Sequence, residues 1–264
     1  MNIAVIQARM ASTRLPGKSL LRIGEYPMIH YVLERARQIS GIEGVVLATG
    51  LNAENDPLAD YATRLGYELF RGDEDDVIER FYKAALERQA DTVIRLTGDN
   101  PLIDFDAMGR LLARHNERRM DYSCMTGFPT GALGDICSFR ALEESHRNAD
   151  GKALCDHVDL YVLENRHRFN LICWELESNL SAYRWTVDDA QDLERMRRLE
   201  AALSAGPIRF DRMNTRRALE AIRQCGLQQD MQPKTSNISR ENRYTAKLVA
   251  KLETHKSIPL ANME

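Results

Sequence analysis

Four short apolar runs, each separated from the next by a stretch with helical spacing, restrict this chain to a few architectures. The runs are Ile3–Ile6, Gly44–Thr49, Tyr67–Phe70 and Thr92–Thr97. Between the first two, Met28, Ile29, Val32, Leu33, Ala36 and Ile39 recur along one face of a helix. Between the next two, Asn55-Asp56-Pro57 opens a helix with proline in its first turn. Leu58–Leu65 continues that helix and Gly66 ends it. A third helix spans Val77–Gln89. Apolar strands joined by helices pair in parallel through right-handed crossovers. The pattern predicts an α/β fold with a mostly parallel sheet flanked by helices. Ligands of such sheets bind beyond the carboxyl ends of the strands.

The first strand delivers Gln7-Ala8-Arg9-Met10-Ala11-Ser12-Thr13-Arg14-Leu15-Pro16-Gly17-Lys18 to that rim. Three cations (Arg9, Arg14, Lys18), two hydroxyls (Ser12, Thr13) and a glycine are suited to phosphate. Loop N–H groups can point inward at an anion, arginine brings a fork of donors, and lysine brings a point charge. A solvated basic loop is the plainer reading, but the interleaved Pro16-Gly17 and the position directly after a strand argue for a site. The fourth strand ends in Gly98-Asp99-Asn100-Pro101. A carboxylate facing cations and phosphates is what a magnesium–nucleotide site requires, although aspartate in such loops often serves as a cap. Arg184-Trp185-Thr186-Val187 delivers a second acidic pair, Asp188-Asp189. The run Glu74-Asp75-Asp76 precedes a helix, where carboxylates complement the helix dipole.

Further extended runs are expected at Tyr122–Met125, Asp135–Phe139 and Asn170–Leu176. Further helices are expected at Ala107–Glu117, Arg140–Asn148, Asp156–Leu163 and Ala190–Leu203. Gly206-Pro207 breaks the last of these, which divides the chain into a main domain, residues 1–206, and a C-terminal extension, 207–264. In the extension Thr215–Gln224 reads as a helix. One more is expected across Arg243–Leu252, docked on the main domain or on a second subunit.

The 264 residues are 44% hydrophobic, enough for one large core, and the net charge of -3 argues against nucleic-acid binding. No apolar run is long enough to span a bilayer, and no signal peptide is expected. The five cysteines (Cys124, Cys137, Cys155, Cys173, Cys225) lack metal-ligand spacing. They fit reduced thiols in a cytoplasmic protein.

Ala8-Arg9-Met10-x-Ser12-Thr13-Arg14-Leu15-Pro16-Gly17-Lys18 closely resembles the opening signature of sugar cytidylyltransferases. Two groups are similar: the 3-deoxy-manno-octulosonate type and the spore-coat polysaccharide, or acylneuraminate-like, type, which fits better. Phe70-Arg71-Gly72-x-Glu74-Asp75-Asp76-Val77-x-x-Arg80 and Arg95-Leu96-Thr97-Gly98-Asp99-Asn100-Pro101-Leu102-Ile103-Asp104 resemble that group's next blocks. Thr186-Val187-Asp188-x-x-x-Asp192-Leu193 and Asn237-Ile238-x-Arg240-x-Asn242-x-Tyr244 resemble its last blocks. The resemblance implies a Rossmann-like nucleotidyltransferase fold of the glycosyltransferase-A kind, and a homodimer. It implies joining of CTP to a sugar or sugar acid, with Mg2+ and release of pyrophosphate, in surface polysaccharide or glycoconjugate biosynthesis.

Carried over by residue, Ala8, Arg9, Ser12, Thr13, Arg14 and Lys18 would hold the nucleotide, with Lys18, Arg9, Arg14, Asp99 and Asp188 catalytic. Asp99 and Asp188 would bind the metal, and Asp99 would also contact the nucleotide. Arg71 would lie near the nucleotide. Arg80, Asp76, Asp135 and His157 would face the acceptor. Asp76 has helix capping as its alternative, and His157 the role of a helix-face histidine satisfied inside the fold. The segments Pro129–Asp135 and Cys155–Asp159 depart from the family pattern and bear on the acceptor. Use of GTP or another acceptor, and a non-catalytic sugar-nucleotide binder, are the other readings.

Overall fold

The computed structural model describes residues 1–149, 158–204, 209–232 and 247–250, and the backbone of 254–258. Its strands are β1 (Asn2–Gln7), β2 (Arg22–Ile23), β3 (Tyr26–Pro27), β4 (Gly44–Gly50), β5 (Glu68–Gly72), β6 (Thr92–Thr97), β7 (Tyr122–Thr126), β8 (Asp135–Ser138), β9 (Leu171–Leu176) and β10 (Thr254–Ile258). The helices are α1 (Met28–Ala36), α2 (Asp56–Arg64), α3 (Val77–Glu87), α4 (Phe105–Glu117), α5 (Phe139–Asn148), α6 (Leu160–Glu164), α7 (Ala190–Ser204) and α8 (Thr215–Gln224).

Eight strands form one sheet in the order β10-β9-β7-β8-β6-β1-β4-β5, and β2 and β3 form a small separate ribbon. Within the eight-stranded sheet pairing is parallel except at β8, which runs antiparallel to both β6 and β7. The expected mixed, mostly parallel sheet flanked by helices is therefore present. The chain leaves β1 toward β4 on one side and later returns as β6 on the other. This is a topological switch point, where loops diverge and open a crevice.

Side chains alternate across the pleat, so each strand feeds two cores. Ile6, Leu47, Ile94 and Leu96 meet α1, α2, α4, α7 and α8 on one face. Val5, Val46, Val93 and Cys137 meet α3, α5 and α6 on the other. Beyond the expected boundary at 206, Phe210, Met213, Leu219, Ile222 and Met231 join the first core. Arg35, fully buried on α1, donates to Pro101 O at 2.9 Å and Met213 O at 2.6 Å, tying the loop after β6 to that segment. The four cysteines among the described residues are free thiols. Cys155, Asp156, His157 and the motif at 237–244 lie outside the described residues. Strand β10, parallel to β9 at the sheet edge, was not expected from the sequence. Among the described residues no helix is long and apolar enough to cross a membrane.

His115 on α4 is buried, with Nδ1 2.9 Å from Ser123 Oγ. Burial, offset in part by Asp121, pushes its pKa down to about 4. The unfolded chain takes up this proton near pH 6.5, roughly, and the folded chain only below that. The contribution is complete above about pH 6.5 and is lost as pH falls toward 4, on the order of 3 kcal/mol in all. His115→Gln should therefore flatten the fall in stability between neutral pH and pH 5, as read by urea melts. An unchanged fall would assign it to other groups.

Candidate active site

The loop after β1 is closed on itself. Gly17 N–H donates to Met10 O at 3.0 Å, Ser12 N–H to Met10 O at 2.9 Å, and Lys18 N–H to Leu15 O at 3.1 Å. Gly17 adopts a φ of 67°, the left-handed region open to glycine, and starts the short 3-10 turn Lys18–Leu20. Buried Asn55, just before α2, accepts from Met10 N–H at 2.9 Å and donates to Glu74 Oε2 at 2.9 Å. One side chain thus braces the basic loop against the loop after β5.

The loop after β6 lies beside it. A Cβ on Gly98 would sit 2.6 Å from Ala8 Cβ, so only glycine permits this approach. Val187 N–H donates to Asp99 O at 2.9 Å, which joins the two aspartate-bearing loops directly.

These loops enclose a cleft of about 400 Å³ lined by Gln7, Ala8, Arg9, Ala11, Ser12, Thr13, Arg14, Lys18, Ser19, Val77, Arg80, Thr97, Gly98, Asp99 and Asp188. At its floor the Lys18 ammonium donates to Asp99 Oδ2 at 2.7 Å, Val187 O at 2.9 Å and Asp188 Oδ1 at 3.3 Å. Arg14, half exposed, pairs with the same Asp188 oxygen at 2.9 Å. Arg184 donates to Asp188 Oδ2 at 2.5 Å. Burial opposes the charge on Asp188, but Lys18, Arg14 and Arg184 outweigh it and hold the carboxyl below its usual range. Arg9 reaches Glu74 O at 3.3 Å and Asp75 Oδ1 at 3.4 Å across the mouth. Arg80 is buried on α3, donates to Asp73 O and to Glu74 O at 2.8 Å, and its Nε has no partner. Burial, then Arg9, lowers its pKa.

The residues expected to share a site from the first loop, the loop after β6 and the segment before α7 are thus brought together. Three other candidates, Arg71, Asp76 and Asp135, are not among the residues that line the cleft. Phe70, the neighbour of Arg71, packs toward α3, so strand alternation turns Arg71 to the opposite face. There it donates to Gly50 O at 3.0 Å, Asp56 at 2.7 Å, Leu51 O at 3.1 Å and Asn52 O at 3.0 Å. Asp76 caps α3, accepting from Glu79 N–H at 2.8 Å. Asp135 faces Arg95 across the β6–β8 pair, with Arg95 Nε at 3.0 Å. Arg95 lies one side-chain repeat before cleft-lining Thr97, which sets this ion pair deeper in the sheet.

Four further residues contribute that the motifs do not mark as site residues. Gln7, Val77 and Thr97 line the cleft, and Asn55 braces it. Arg184 was read only as part of a short apolar delivery segment. Its place four residues before Asp188, itself four before Asp192, was the available signal.

Two carboxylates serving one cation form a donor set of hard oxygens, the kind Mg2+ accepts together with substrate phosphates. Among the described residues no group of three or more His, Cys, Asp or Glu could hold a metal.

Known proteins resemble this chain in sequence and in fold. A family model described as cytidylyltransferase matches residues 3–204. The chain is 30% identical over 210 residues to the spore coat polysaccharide biosynthesis protein SpsF of Bacillus subtilis, covering 74% of this chain and 84% of that one. It is 31% identical over 194 residues to the uncharacterized protein MJ1063 of Methanocaldococcus jannaschii, covering 73% and 80%. A solved cytidylyltransferase from Leptospira borgpetersenii superposes with a TM-score of 0.79 at 28% identity, covering 90% of this chain and 99% of that one. CMP:2-keto-3-deoxy-manno-octonic acid synthetase, solved with CTP, shares the fold with a TM-score of 0.60 at 22% identity, covering 76% and 98%. This chain therefore belongs to the cytidylyltransferase family and is a nucleotidyltransferase.

Proposed function

We propose that this protein transfers the cytidylyl group of CTP to a hydroxyl of a sugar or sugar acid, with Mg2+, in the building of surface polysaccharide or glycoconjugate. One observation carries the reading: the Lys18 ammonium spans two carboxylates from distant parts of the chain, beneath a rim of arginines. The named roles of SpsF and of the octulosonate enzyme supply the direction of the chemistry.

In this reading Lys18 and Arg14 exchange Asp188 for phosphate oxygens when the nucleotide enters. Arg9, Ser12, Thr13 and the loop N–H groups complete the triphosphate cradle, and Arg80 lies toward the base or the acceptor. Asp99 and Asp188 would hold Mg2+. When bound, the ion would withdraw charge from the α-phosphate and ease loss of the acceptor hydroxyl's proton to solvent. The acceptor oxygen forms its bond to the α-phosphorus as the bond to the bridging oxygen breaks and pyrophosphate departs with the new charge. Lys18, Arg9 and Arg14 offset that charge. Positioning and charge neutralisation supply most of the rate in such transfers.

The test is pyrophosphate release with Mg2+ across CTP, UTP, GTP and ATP, against a panel of sugar acids and sugar phosphates. Release with CTP and a sugar or sugar-acid hydroxyl is expected. Release with GTP alone would replace the nucleotide. Thermal stabilisation by CTP without release on any acceptor would make the protein a sugar-nucleotide binder.

A further inference from the structure

Asp192 does not line the cleft, yet its surroundings converge on Asp188. It lies in the first turn of α7 and is 1% exposed. Its Oδ2 accepts from Asp188 N–H at 2.9 Å and from Arg184 Nη2 at 3.3 Å. Its Oδ1 accepts from Arg184 Nε at 3.3 Å and from Arg195. Arg184 is itself buried, and the same Nη2 reaches Asp188 Oδ2. Asp189 supplies the capping oxygen of this helix, accepting from the Asp192 N–H at 2.9 Å. Capping therefore does not account for Asp192.

The two oxygens of Asp188 consequently have different duties. Oδ2 is committed to Arg184. Oδ1 faces Lys18 and Arg14 and opens on the cleft. A guanidinium held through both Nε and Nη2 by a buried carboxylate cannot swing to the cleft-facing oxygen. A guanidinium released from that grip can, and it then competes for the oxygen a cation needs.

We propose that Asp192 is a positioning residue that, through Arg184 and the Asp188 N–H, presents a single Asp188 oxygen to the divalent ion. The inference rests on the Mg2+–CTP reading of this cleft. Removing the charge of Asp192 weakens metal use more than nucleotide binding, because Lys18 and the basic loop are untouched. The coupling is local and electrostatic, carried by one hydrogen-bonded arginine.

The experiment compares wild type with Asp192→Asn, which keeps the side-chain shape and loses the charge. Two quantities are read: Mn2+ binding by electron paramagnetic resonance in the presence of a non-hydrolysable CTP analogue, and the split of kcat from KM for CTP at several Mg2+ concentrations. Mn2+ binding about tenfold weaker is expected, with kcat lowered about tenfold at fixed Mg2+ and partly recovered at high Mg2+. KM for CTP should stay within about threefold of wild type. If Asp192→Asn does not fold, Arg184→Lys provides the same test, since lysine keeps the charge but cannot fork between two carboxylates. Unchanged Mn2+ affinity in a folded variant overturns the proposal, as does a loss of kcat that extra Mg2+ does not restore. Absence of Mn2+ binding in wild type itself would overturn the parent reading instead.

Discussion

Asp188→Asn is expected to lower CTP-dependent pyrophosphate release by about two to three orders of magnitude with the fold retained, and Asp99→Asn to do the same. Asparagine has nearly the same shape, so the connection from Val187 N–H to Asp99 O and the packing around Val187 should persist. The anionic oxygen is lost. At Asp188 that oxygen answers Arg14 and Lys18, while its partner oxygen answers Arg184. In the proposed reaction both carboxylates hold the ion that neutralises the reacting phosphate. Removing one fixed electrostatic contact of this kind commonly costs on the order of 3 kcal/mol of barrier, or roughly a hundredfold or more in rate. Initial rates at saturating CTP, paired with a thermal melt, make the comparison. Turnover within threefold of wild type in either folded variant would remove that aspartate from the reaction. Because the Asp188 carboxyl is held below its usual range, it stays ionised throughout the neutral region. An acid limb of kcat/KM, which reports the free enzyme, well above pH 4, roughly the ordinary carboxylate value, would belong to another group.

Lys18→Met should produce two separable effects. Its ammonium binds Asp99, Asp188 and Val187 O, and the proposed reaction moves it onto the triphosphate. Losing a charge-assisted contact of about 1.5–3 kcal/mol should cut kcat/KM for CTP by roughly ten- to a hundredfold. In the protein without nucleotide, however, the two carboxylates lose the cation between them. Their mutual repulsion should lower the melting temperature, and Mg2+ should restore it more strongly than it stabilises wild type. Melts with and without Mg2+ but no CTP read this directly. A variant with normal kcat/KM would place Lys18 outside the nucleotide site. One whose melt is indifferent to Mg2+ would break the link between Lys18 and the metal position.

Much of the fold could be read from local pattern. The runs at Ile3–Ile6, Gly44–Thr49 and Thr92–Thr97 are mostly apolar because both faces of the sheet are covered, and that regularity survives in the bare sequence. Strand β10 could not be read this way. Thr254–Ile258 contains His255-Lys256-Ser257 and extends only because β9 offers it a parallel partner. The antiparallel direction of β8 was equally hidden, since a strand's residues carry no mark of which way its neighbours run. Of the candidate site, Arg9, Arg14, Lys18 and Asp99 were legible because each lies in a loop that follows the carboxyl end of an apolar run. Arg71 and Asp135 were charged residues in comparable places, but one pleat step turned Arg71 away, and Arg95 engages Asp135 within the sheet.

The amino-acid sequence alone determined which loops lie at the carboxyl rim and which of them carry cations and acids, because strand periodicity and turn chemistry are local properties of the chain. Only the tertiary structure decided that β6 lies beside β1, that residues 170 positions apart meet at the Lys18 ammonium, and that Asp192 reaches Asp188 through Arg184. Those are distances across the sheet and between helix ends, set by how layers pack, and no local pattern encodes them.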